Sequence, residues 1–209
     1  NKTLYTYNAV NDLIGITDPT GAETVYTYDG QGNRTSETDA DGHKISYTYD
    51  ALGRMTSRTD GNGNTTSFSY DAVGNLTAET DPYGNSFSTG YNSMDLSVSE
   101  TNERGMKTSY ERDAMGRIIK ETDAKGNAVS YGYDANGNLV SVTDARGNTT
   151  TYTYDAENKL TKSADPEGGT TVLTYNALGQ LVGVTDANGA EGNISYDAEG
   201  NAVSASDGL

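Results

Sequence analysis

Residues 131–148 read Tyr-Gly-Tyr-Asp-Ala-Asn-Gly-Asn-Leu-Val-Ser-Val-Thr-Asp-Ala-Arg-Gly-Asn, and this stretch decides the fold. It holds two Asp-x-x-Gly sequences, which we name the first turn (residues 134–137) and the second turn (residues 144–147). An Asp side chain caps such a turn by accepting backbone N–H groups, and Gly adopts positive φ without strain. The stretch therefore predicts short strands joined by tight turns.

The same text recurs every 21 residues. Ten copies fit without an insertion, so we predict one array of about ten units over residues 1–209 and expect it to be a fragment of a larger protein. Three positions carry the repeat: the tyrosine before the first turn (the outer tyrosine), the second-turn Asp and the second-turn Gly. Their occupants include Tyr28, Tyr49, Tyr70, Tyr133, Tyr154, Asp39, Asp60, Asp81, Asp144, Asp165, Gly42, Gly63, Gly84, Gly126, Gly147 and Gly168.

The substitutions in the first turn support this interpretation. Where the turn glycine is missing, the chain has Asn11, Asp95 or Asn158, the residue types that best tolerate left-handed backbone. Segments of about six residues lie between the turns, which is an ordinary strand length. We therefore predict an all-β fold of about twenty strands with no helix.

The composition is unusual for a folded chain. Leu, Ile, Val and Phe make up about 14% of the residues and the net charge is −16, a combination typical of disorder. The regular repeat, 25 glycines and 16 tyrosines favour strands and turns instead. The absence of cysteine excludes disulfides and thiolate metal sites. We expect no nucleic-acid partner, because basic residues are few, and no membrane span, because no apolar run is long enough.

The repeat length constrains the pairing of the strands. We predict a three-residue bulged hairpin at the first turn, with Tyr133 opposite Leu139 and Tyr131 opposite Ser141. Because 21 is odd, an identical second hairpin would turn the tyrosines to opposite faces in successive units. We therefore predict a four-residue loop at the second turn, which places Ser141 opposite Tyr152 and keeps one face of Tyr, Leu and small residues.

The tyrosine face also predicts how the array folds as a whole. A flat layer would leave that face exposed to solvent, so we expect the strip of hairpins to coil or close into a shell-like or barrel-like structure. The outer tyrosines should be largely buried against leucines and small residues across the strand. The residues concerned are Tyr49, Tyr70, Tyr133 and Tyr154, with Leu76, Leu139 and Leu160.

The consensus Tyr-x-Tyr-Asp-Ala-x-Gly-Asn/Arg-Leu-x-x-x-Thr-Asp-x-x-Gly-Asn, with clear copies at 47–64, 68–85 and 131–148, resembles the YD repeat of the RHS family. The family includes bacterial polymorphic toxins, shell subunits of insecticidal toxin complexes, wall-associated bacterial proteins and teneurins. The resemblance implies a strip of β-hairpins that spirals into a hollow shell, which in the toxins encloses a C-terminal effector.

The resemblance leads us to expect a non-enzymatic structural scaffold of a large secreted or cell-surface bacterial protein. Its partners would be the rest of its own polypeptide or an enclosed effector. Two other functions stay open: a carbohydrate- or receptor-binding adhesion module, since tyrosine rings can stack on sugars, and a self-assembling surface fibre, since equal repeats leave compatible strand edges.

No catalytic, cofactor or metal site is predicted. The second-turn Asp residues could form a calcium ladder, but equivalent turns lie two strands apart, roughly 10 Å, and cannot share an ion. We interpret these residues as turn caps. The single histidine, His43, takes a turn position that is more often Asn than any other residue, and we expect it to be exposed.

The middle of the chain departs from the consensus. Thr89, Asp95, Asn102 and Arg112 replace repeat residues there, and several methionines fall nearby. Two interpretations stay open: simple drift of the repeat, or a seam or partner contact, to which methionine is suited because it adapts to irregular surfaces. The candidate contact region consists of Met94, Met106, Arg112 and Met115.

Overall fold

The computed structural model describes residues 2–207 and confirms an all-β fold of twenty strands. The chain divides into two units, residues 1–108 and 109–209. In both units each strand pairs antiparallel with the strand before it or after it in the chain. We name the strand pair joined by a first turn the first hairpin, and the pair joined by a second turn the second hairpin.

The strands of the first unit are β1 (Leu4–Tyr7), β2 (Leu13–Thr17), β3 (Glu23–Tyr28), β4 (Arg34–Thr38), β5 (Lys44–Tyr49), β6 (Met55–Thr59), β7 (Thr65–Tyr70), β8 (Leu76–Thr80), β9 (Ser86–Tyr91) and β10 (Ser97–Thr101). The second unit contains the rest, with β11 beginning at the last residues of the first: β11 (Lys107–Arg112), β12 (Ile118–Thr122), β13 (Ala128–Tyr133), β14 (Leu139–Thr143), β15 (Thr149–Tyr154), β16 (Leu160–Ala164), β17 (Thr170–Tyr175), β18 (Leu181–Thr185), β19 (Glu191–Tyr196) and β20 (Ala202–Ser206).

Both kinds of turn close in the same way. In the second turn the N–H of Asp144 donates to the carbonyl of Asn148 at 2.9 Å, and the N–H of Gly147 donates back to Asp144 at 3.0 Å. The first turn repeats this pattern, with Asp134 donating to Asn138 at 3.0 Å. The four-residue loop predicted for the second turn is therefore wrong, because identical Asp-x-x-Gly chemistry produces identical three-residue loops at both turns.

The first hairpin contains a β-bulge. Tyr133 lies opposite Leu139 as predicted, but Tyr131 lies opposite Val142 rather than Ser141. The register shifts between these pairs because Val140 is an extra residue on β14. A shift at this place occurs in all ten first hairpins of the described residues.

The second hairpin is regular. Ser141 lies opposite Thr151, so the predicted pairing of Ser141 with Tyr152 is wrong. Tyr152 instead lies opposite Ser163 in the next first hairpin, and Tyr154 lies opposite Leu160 there.

The bulge resolves the problem of the odd repeat. Tyr131 pairs with Val142, and Val142 pairs with Thr150, which lies two positions before the equivalent Tyr152. An even offset returns each tyrosine to the same face of the sheet. The prediction of one consistent tyrosine face is confirmed, but an extra strand residue produces it and not a longer loop.

The two faces of the sheet differ in chemistry. The aromatic face carries the inner tyrosine (two residues before the outer one), the outer tyrosine and the apolar residue opposite it. The other face, which we name the hydroxyl face, carries Thr and Ser. There the hydroxyl of Thr27 meets those of Thr35 and Ser36 at 2.7 and 2.6 Å. Thr35 is a bulge residue, so the bulge directs two side chains to the hydroxyl face.

No hydrophobic side chain is fully buried among residues 2–207. The prediction that the outer tyrosines are largely buried is wrong for Tyr49, Tyr70, Tyr133 and Tyr154, which are half-buried. Their face is covered by neighbouring side chains of the same sheet and not by a second layer. In neither unit do the first and last strands pair with each other, so each unit is an open sheet and not a closed barrel. The described residues contain no helix that could span a membrane.

Candidate functional site

The turn aspartates act as caps at both edges of the sheet. Oδ1 of Asp144 accepts the N–H groups of Arg146 and Asn148 at 2.8 and 2.9 Å, and Oδ2 accepts the side-chain amide of Asn148 at 2.9 Å. The Asn148 amide and these backbone N–H groups hold the pKa of the Asp144 carboxyl below its ordinary value. Gly147 follows at φ 86°, in the left-handed region.

The left-handed first-turn position is kept even where glycine is absent. Asn11, Asp95 and Asn158 have φ of 70°, 58° and 63°. The sequence prediction for these three residues is confirmed. Asn and Asp accept this conformation because their short polar side chains bond locally to the backbone.

The two edges of the sheet differ in what surrounds these turns. At the first-turn edge, the outer tyrosine reaches back to the preceding first hairpin. The hydroxyl of Tyr154 donates to the carbonyl of Leu139 at 2.9 Å. Six further outer tyrosines make the same bond to the carbonyl fifteen residues earlier: Tyr28, Tyr49, Tyr91, Tyr133, Tyr175 and Tyr196.

This bond has a structural cause. The pairing of β14 with β15 covers only Ser141 to Thr143, so the carbonyl of Leu139 lies beyond the end of that ladder. A half-buried carbonyl without a donor would be destabilising. The Tyr154 hydroxyl supplies the donor and ties one hairpin to the next. The sequence analysis assigned the tyrosines to packing and missed this bond. The phenolic hydroxyl, which needs a partner when half-buried, was the available signal.

Cations reinforce the same edge. The guanidinium of Arg54 donates to Asp50 of its own turn at 2.6 Å and to the carbonyl of Asp71 in the next first turn at 2.8 Å, and it lies 4.8 Å from the ring centre of Tyr70. In the second unit, Arg117 pairs in the same way with Asp113 and lies over Tyr133, and Lys159 pairs with Asp155 and lies over Tyr175. Each cation joins two adjacent repeats.

Amide side chains provide a third link between adjacent first turns. Asn75 donates to the carboxylate of Asp95 at 3.0 Å, and Asn138 donates to the side-chain oxygen of Asn158 at 2.8 Å. The recipients are two of the residues with positive φ, so these substitutions also add a contact between repeats. We name the tyrosine, cation and amide contacts of the first-turn edge the inter-repeat clasp.

At the second-turn edge the side chains bond within their own turn. Asn64 donates to Asp60, and Asn127 donates to Asp123, at 2.9 and 2.7 Å. In residues 2–207 we find no hydrogen bond that joins two second turns. The second-turn Asp39 is 49% exposed, against 23% for the first-turn Asp50. Neighbouring second turns therefore lie side by side, as Gly61 does against His43, without a hydrogen bond that joins them in the described residues.

The tips of the first turns carry apolar residues, of which the sequence analysis singled out only Met94 and Met115. The third residue of the turn is exposed and apolar in Val10, Leu52, Val73, Met94, Met115 and Leu178. The equivalent second-turn position is mostly polar, with Tyr83 as the exposed exception. The signal was visible in the sequence as an apolar residue two positions after the first-turn Asp.

The structure places the four residues of the candidate contact region in different settings. Met94 and Met115 are first-turn tips, Met106 is a half-exposed residue closing a second turn, and the Arg112 guanidinium donates to the carbonyl of Gly116 at 2.8 Å. Arg112 stands at an outer tyrosine position. A role in partner contact stays a prediction for all four.

Among residues 2–207, one group of three side chains brings potential metal-ligand atoms together. Asp39, Asp41 and His43, all exposed, bring one donor atom each to within 4.8 Å of one another. His43 is exposed as predicted.

The repeat is matched by the family model described as RHS Repeat, and the chain belongs to the RHS-repeat family. The matches cover residues 7–44, 32–65, 49–86, 96–128, 133–170, 154–191 and 175–209. No protein in the curated set matches the chain.

Two solved structures are similar in fold. One is the crystal structure of TcdB2-TccC3-Cdc42, with a TM-score of 0.57, and the other is the Tc holotoxin pore of Photorhabdus luminescens, with a TM-score of 0.55. Both are 15% identical to the chain and match 98% of it. The chain spans only 16% of the length of either, so the likeness establishes the fold of a stretch within much larger proteins.

Proposed function

We propose that this chain is a non-enzymatic wall segment of a larger bacterial protein, secreted or at the cell surface, whose repeats form a shell around a toxin or effector. The observation that carries the proposal is the inter-repeat clasp. It recurs at seven outer tyrosines in a sheet that has no fully buried hydrophobic side chain in its described part.

A sheet of this kind is stabilised from repeat to repeat. Each hairpin obtains its stability from its neighbours, so adding repeats extends the sheet without requiring a larger core. This property suits a wall, whose area must grow while its thickness stays one sheet. It does not suit an enzyme, which needs a concave site with converging catalytic groups.

The similar structures support the toxin context. One of them is a Tc holotoxin pore and both contain TccC3, and the chain matches a stretch of chains about six times its length. The remainder of such a long polypeptide, or an effector enclosed by it, is the partner we propose for this chain.

The test is protection from proteolysis in the full-length polypeptide. We expect a segment outside the repeats to resist a soluble protease while the polypeptide is native, and to be cut rapidly once the repeats are unfolded by denaturant. Electron cryo-microscopy should show a wall one sheet thick around internal density.

The matched control is the same segment produced separately and mixed with residues 1–209. A wall encloses only what is built inside it, so this mixture should give no protection. Equal digestion of the segment in the native full-length polypeptide and in the mixture would refute the enclosing role.

Glycan binding is a second candidate, favoured by the half-exposed aromatic face. The ring of Tyr47 lies opposite Arg58 and the ring of Phe68 opposite Glu79, which combines aromatic surface with hydrogen-bonding charges. Arg34, however, lies 5.3 Å from the ring centre of Tyr47 and occupies part of that surface. Binding on a glycan array that is lost in Tyr47→Ala and kept in Tyr83→Ala would favour this function over the wall.

A further inference from the structure

The second turn at residues 39–43 places three potential metal ligands together. Nδ1 of His43 lies 3.0 Å from Oδ2 of Asp39, and the tip residue Asp41 brings its carboxylate within 4.8 Å of both donor atoms. All three side chains are exposed, so an ion in solution can reach them without a change in the fold.

The turn itself brings these side chains together. The N–H of Asp39 donates to the carbonyl of His43 at 3.0 Å, and Gly42 at φ 86° completes the loop. The first and fifth residues of a second turn therefore always meet. In the turns at Asp60, Asp81, Asp123 and Asp144 the fifth residue is Asn, and its amide lies 2.7 to 2.9 Å from the Asp carboxylate.

Apart from Ala40, which stands where the turn at Asp60 has Gly61, residues 39–43 differ from residues 60–64 at two positions. The fifth residue is His43, the single histidine of the chain, and the third is Asp41, where the turn at Asp60 has Asn62. An amide nitrogen does not bind metal ions, whereas an imidazole nitrogen does. Both changes therefore replace a neutral amide with a metal donor in a backbone that is already closed.

We propose that Asp39, Asp41 and His43 form a binding site for a divalent transition-metal ion, with zinc as the ion of choice. An imidazole with two carboxylates is a ligand set that suits Zn²⁺ and discriminates against Ca²⁺ and Mg²⁺, which prefer oxygen ligands alone. Three protein ligands leave a position for water. The net charge of −16 adds a general attraction for cations that the test has to separate from specific binding.

The experiment is calorimetric titration of the chain with Zn²⁺ at neutral pH, in salt and excess Mg²⁺ that occupy the non-specific carboxylates. We expect one site per chain. His43→Asn converts the turn to the Asp-and-Asn form found at residues 60–64 and should keep the fold. It should lower the Zn²⁺ affinity by about tenfold or more, since ligand-shell changes act on this scale. Asp41→Asn should also lower it.

The repeat allows the site to be rebuilt elsewhere. Asn62→Asp with Asn64→His gives the turn at Asp60 the same three ligands, and the stoichiometry should rise from one to two Zn²⁺ per chain. Circular dichroism of each variant verifies the fold. The proposal is overturned if His43→Asn binds Zn²⁺ as tightly as the original chain, or if the rebuilt turn adds no site. Either result would show that zinc associates with the acidic surface in general.

Discussion

The first-turn and second-turn edges of the sheet use the same three-residue loop, but they differ in the hydrogen bonds that their side chains make. At the first-turn edge, Arg54 bonds its own turn and the next, and tyrosine hydroxyls reach the preceding hairpin. At the second-turn edge, Asn64 and Asn148 bond only their own Asp. The loop closes a hairpin at either edge, but in the described residues the side-chain hydrogen bonds between adjacent turns lie at the first-turn edge.

Each position of the repeat has a structural role of its own. Asp and Gly determine the turn, and the outer tyrosine with the fifth turn residue determines whether adjacent turns are joined. The bulge residue, represented by Val140, keeps all of these side chains on the face where they can act. A change at each position should therefore cost stability in a characteristic amount and at a characteristic edge.

The largest effect is expected from deletion of Val140. Without the extra residue the offset per repeat becomes odd, and the tyrosines on one side of the deletion would turn to the opposite face. We expect a loss of more than about 4 kcal/mol, or failure to fold. Urea unfolding followed by circular dichroism measures it.

The control is Val140→Thr, because Thr35 and Thr56 occupy the same bulge position in other repeats. It keeps the residue count and should cost less than about 1 kcal/mol. Similar losses for the deletion and the substitution would contradict the assignment of face selection to the bulge.

The bulge is the feature of the fold that the sequence did not predict. The 21-residue repeat, the turns, the left-handed positions and the need for one consistent face followed from the residues. The position of the extra residue could not be predicted from the sequence, because the bulge position holds Val, Ile or Thr, which are ordinary strand residues. Identical chemistry at both turns was the overlooked signal: equal loops leave the extra residue nowhere except within a strand.

The inter-repeat clasp could not be predicted from the sequence for a different reason. A pattern locates Tyr154 and Leu139 on one face, but the hydroxyl-to-carbonyl bond depends on where the β14–β15 ladder ends. That end is set by the register, and the predicted register was wrong. The Arg54 and Arg117 contacts depend on the same spacing between adjacent first turns.

Acid should produce the next largest effect. Hydrogen bonds hold the pKa of Asp60, Asp134 and Asp144 below the ordinary value, with the side chain of the fifth turn residue as the first cause. A folded-state pKa below the unfolded one means that the stabilisation is present above the unfolded pKa and is lost as pH falls through the folded pKa. We expect stability to fall below about pH 4.

Asp144→Asn tests whether the turn carboxylate causes this loss of stability in acid. Asn caps the first turn at Asn92, whose Oδ1 accepts the N–H groups of Met94 and Leu96. The substitution should therefore keep the turn while it weakens the dependence of stability on pH. An unchanged acid transition would show that carboxylates elsewhere cause it.

Glycine substitutions test the left-handed turn position at both edges. A Cβ at Gly147 would meet no heavy atom within 4 Å, but a valine would be strained at φ 86°, so Gly147→Val should cost about 1–3 kcal/mol. Gly137→Val should cost a similar amount, because φ there is 93° and a Cβ would lie at an ordinary contact distance of 3.6 Å from Nη1 of Arg117. Denaturant melts measure both. Gly147→Asn, which tolerates positive φ, should cost clearly less, and equal losses for Asn and Val would refute the left-handed assignment.

Removing the cation of the clasp should cost less than backbone strain. Arg117→Met loses the bond to Asp113 at 2.7 Å and the position over Tyr133 at 4.5 Å, and we expect about 1–2 kcal/mol. Arg146→Met, at an exposed second-turn tip, should cost less than about 0.5 kcal/mol. Equal losses from the two arginines would remove the distinction between the edges.

The smallest effect, and the most specific, is expected from Tyr154→Phe. The ring and its packing stay, and only the hydrogen bond to the Leu139 carbonyl is lost, so the cost should be about 0.5–1.5 kcal/mol. Tyr152→Phe is the matched control. Tyr152 lies on the same face, and its hydroxyl makes no hydrogen bond within residues 2–207, so its loss should be near zero.

Hydrogen exchange should show where the lost stability resides. If the tyrosine ties hairpins together, Tyr154→Phe should speed exchange at the first-turn ends of β14 and β15 and leave the second turn at Asp144 unchanged, because that turn is closed by its own bonds. Faster exchange at both ends of these strands would mean that the hydroxyl supports the sheet in general. The two edges would then be coupled, and the restriction of the clasp to the first-turn edge would be refuted.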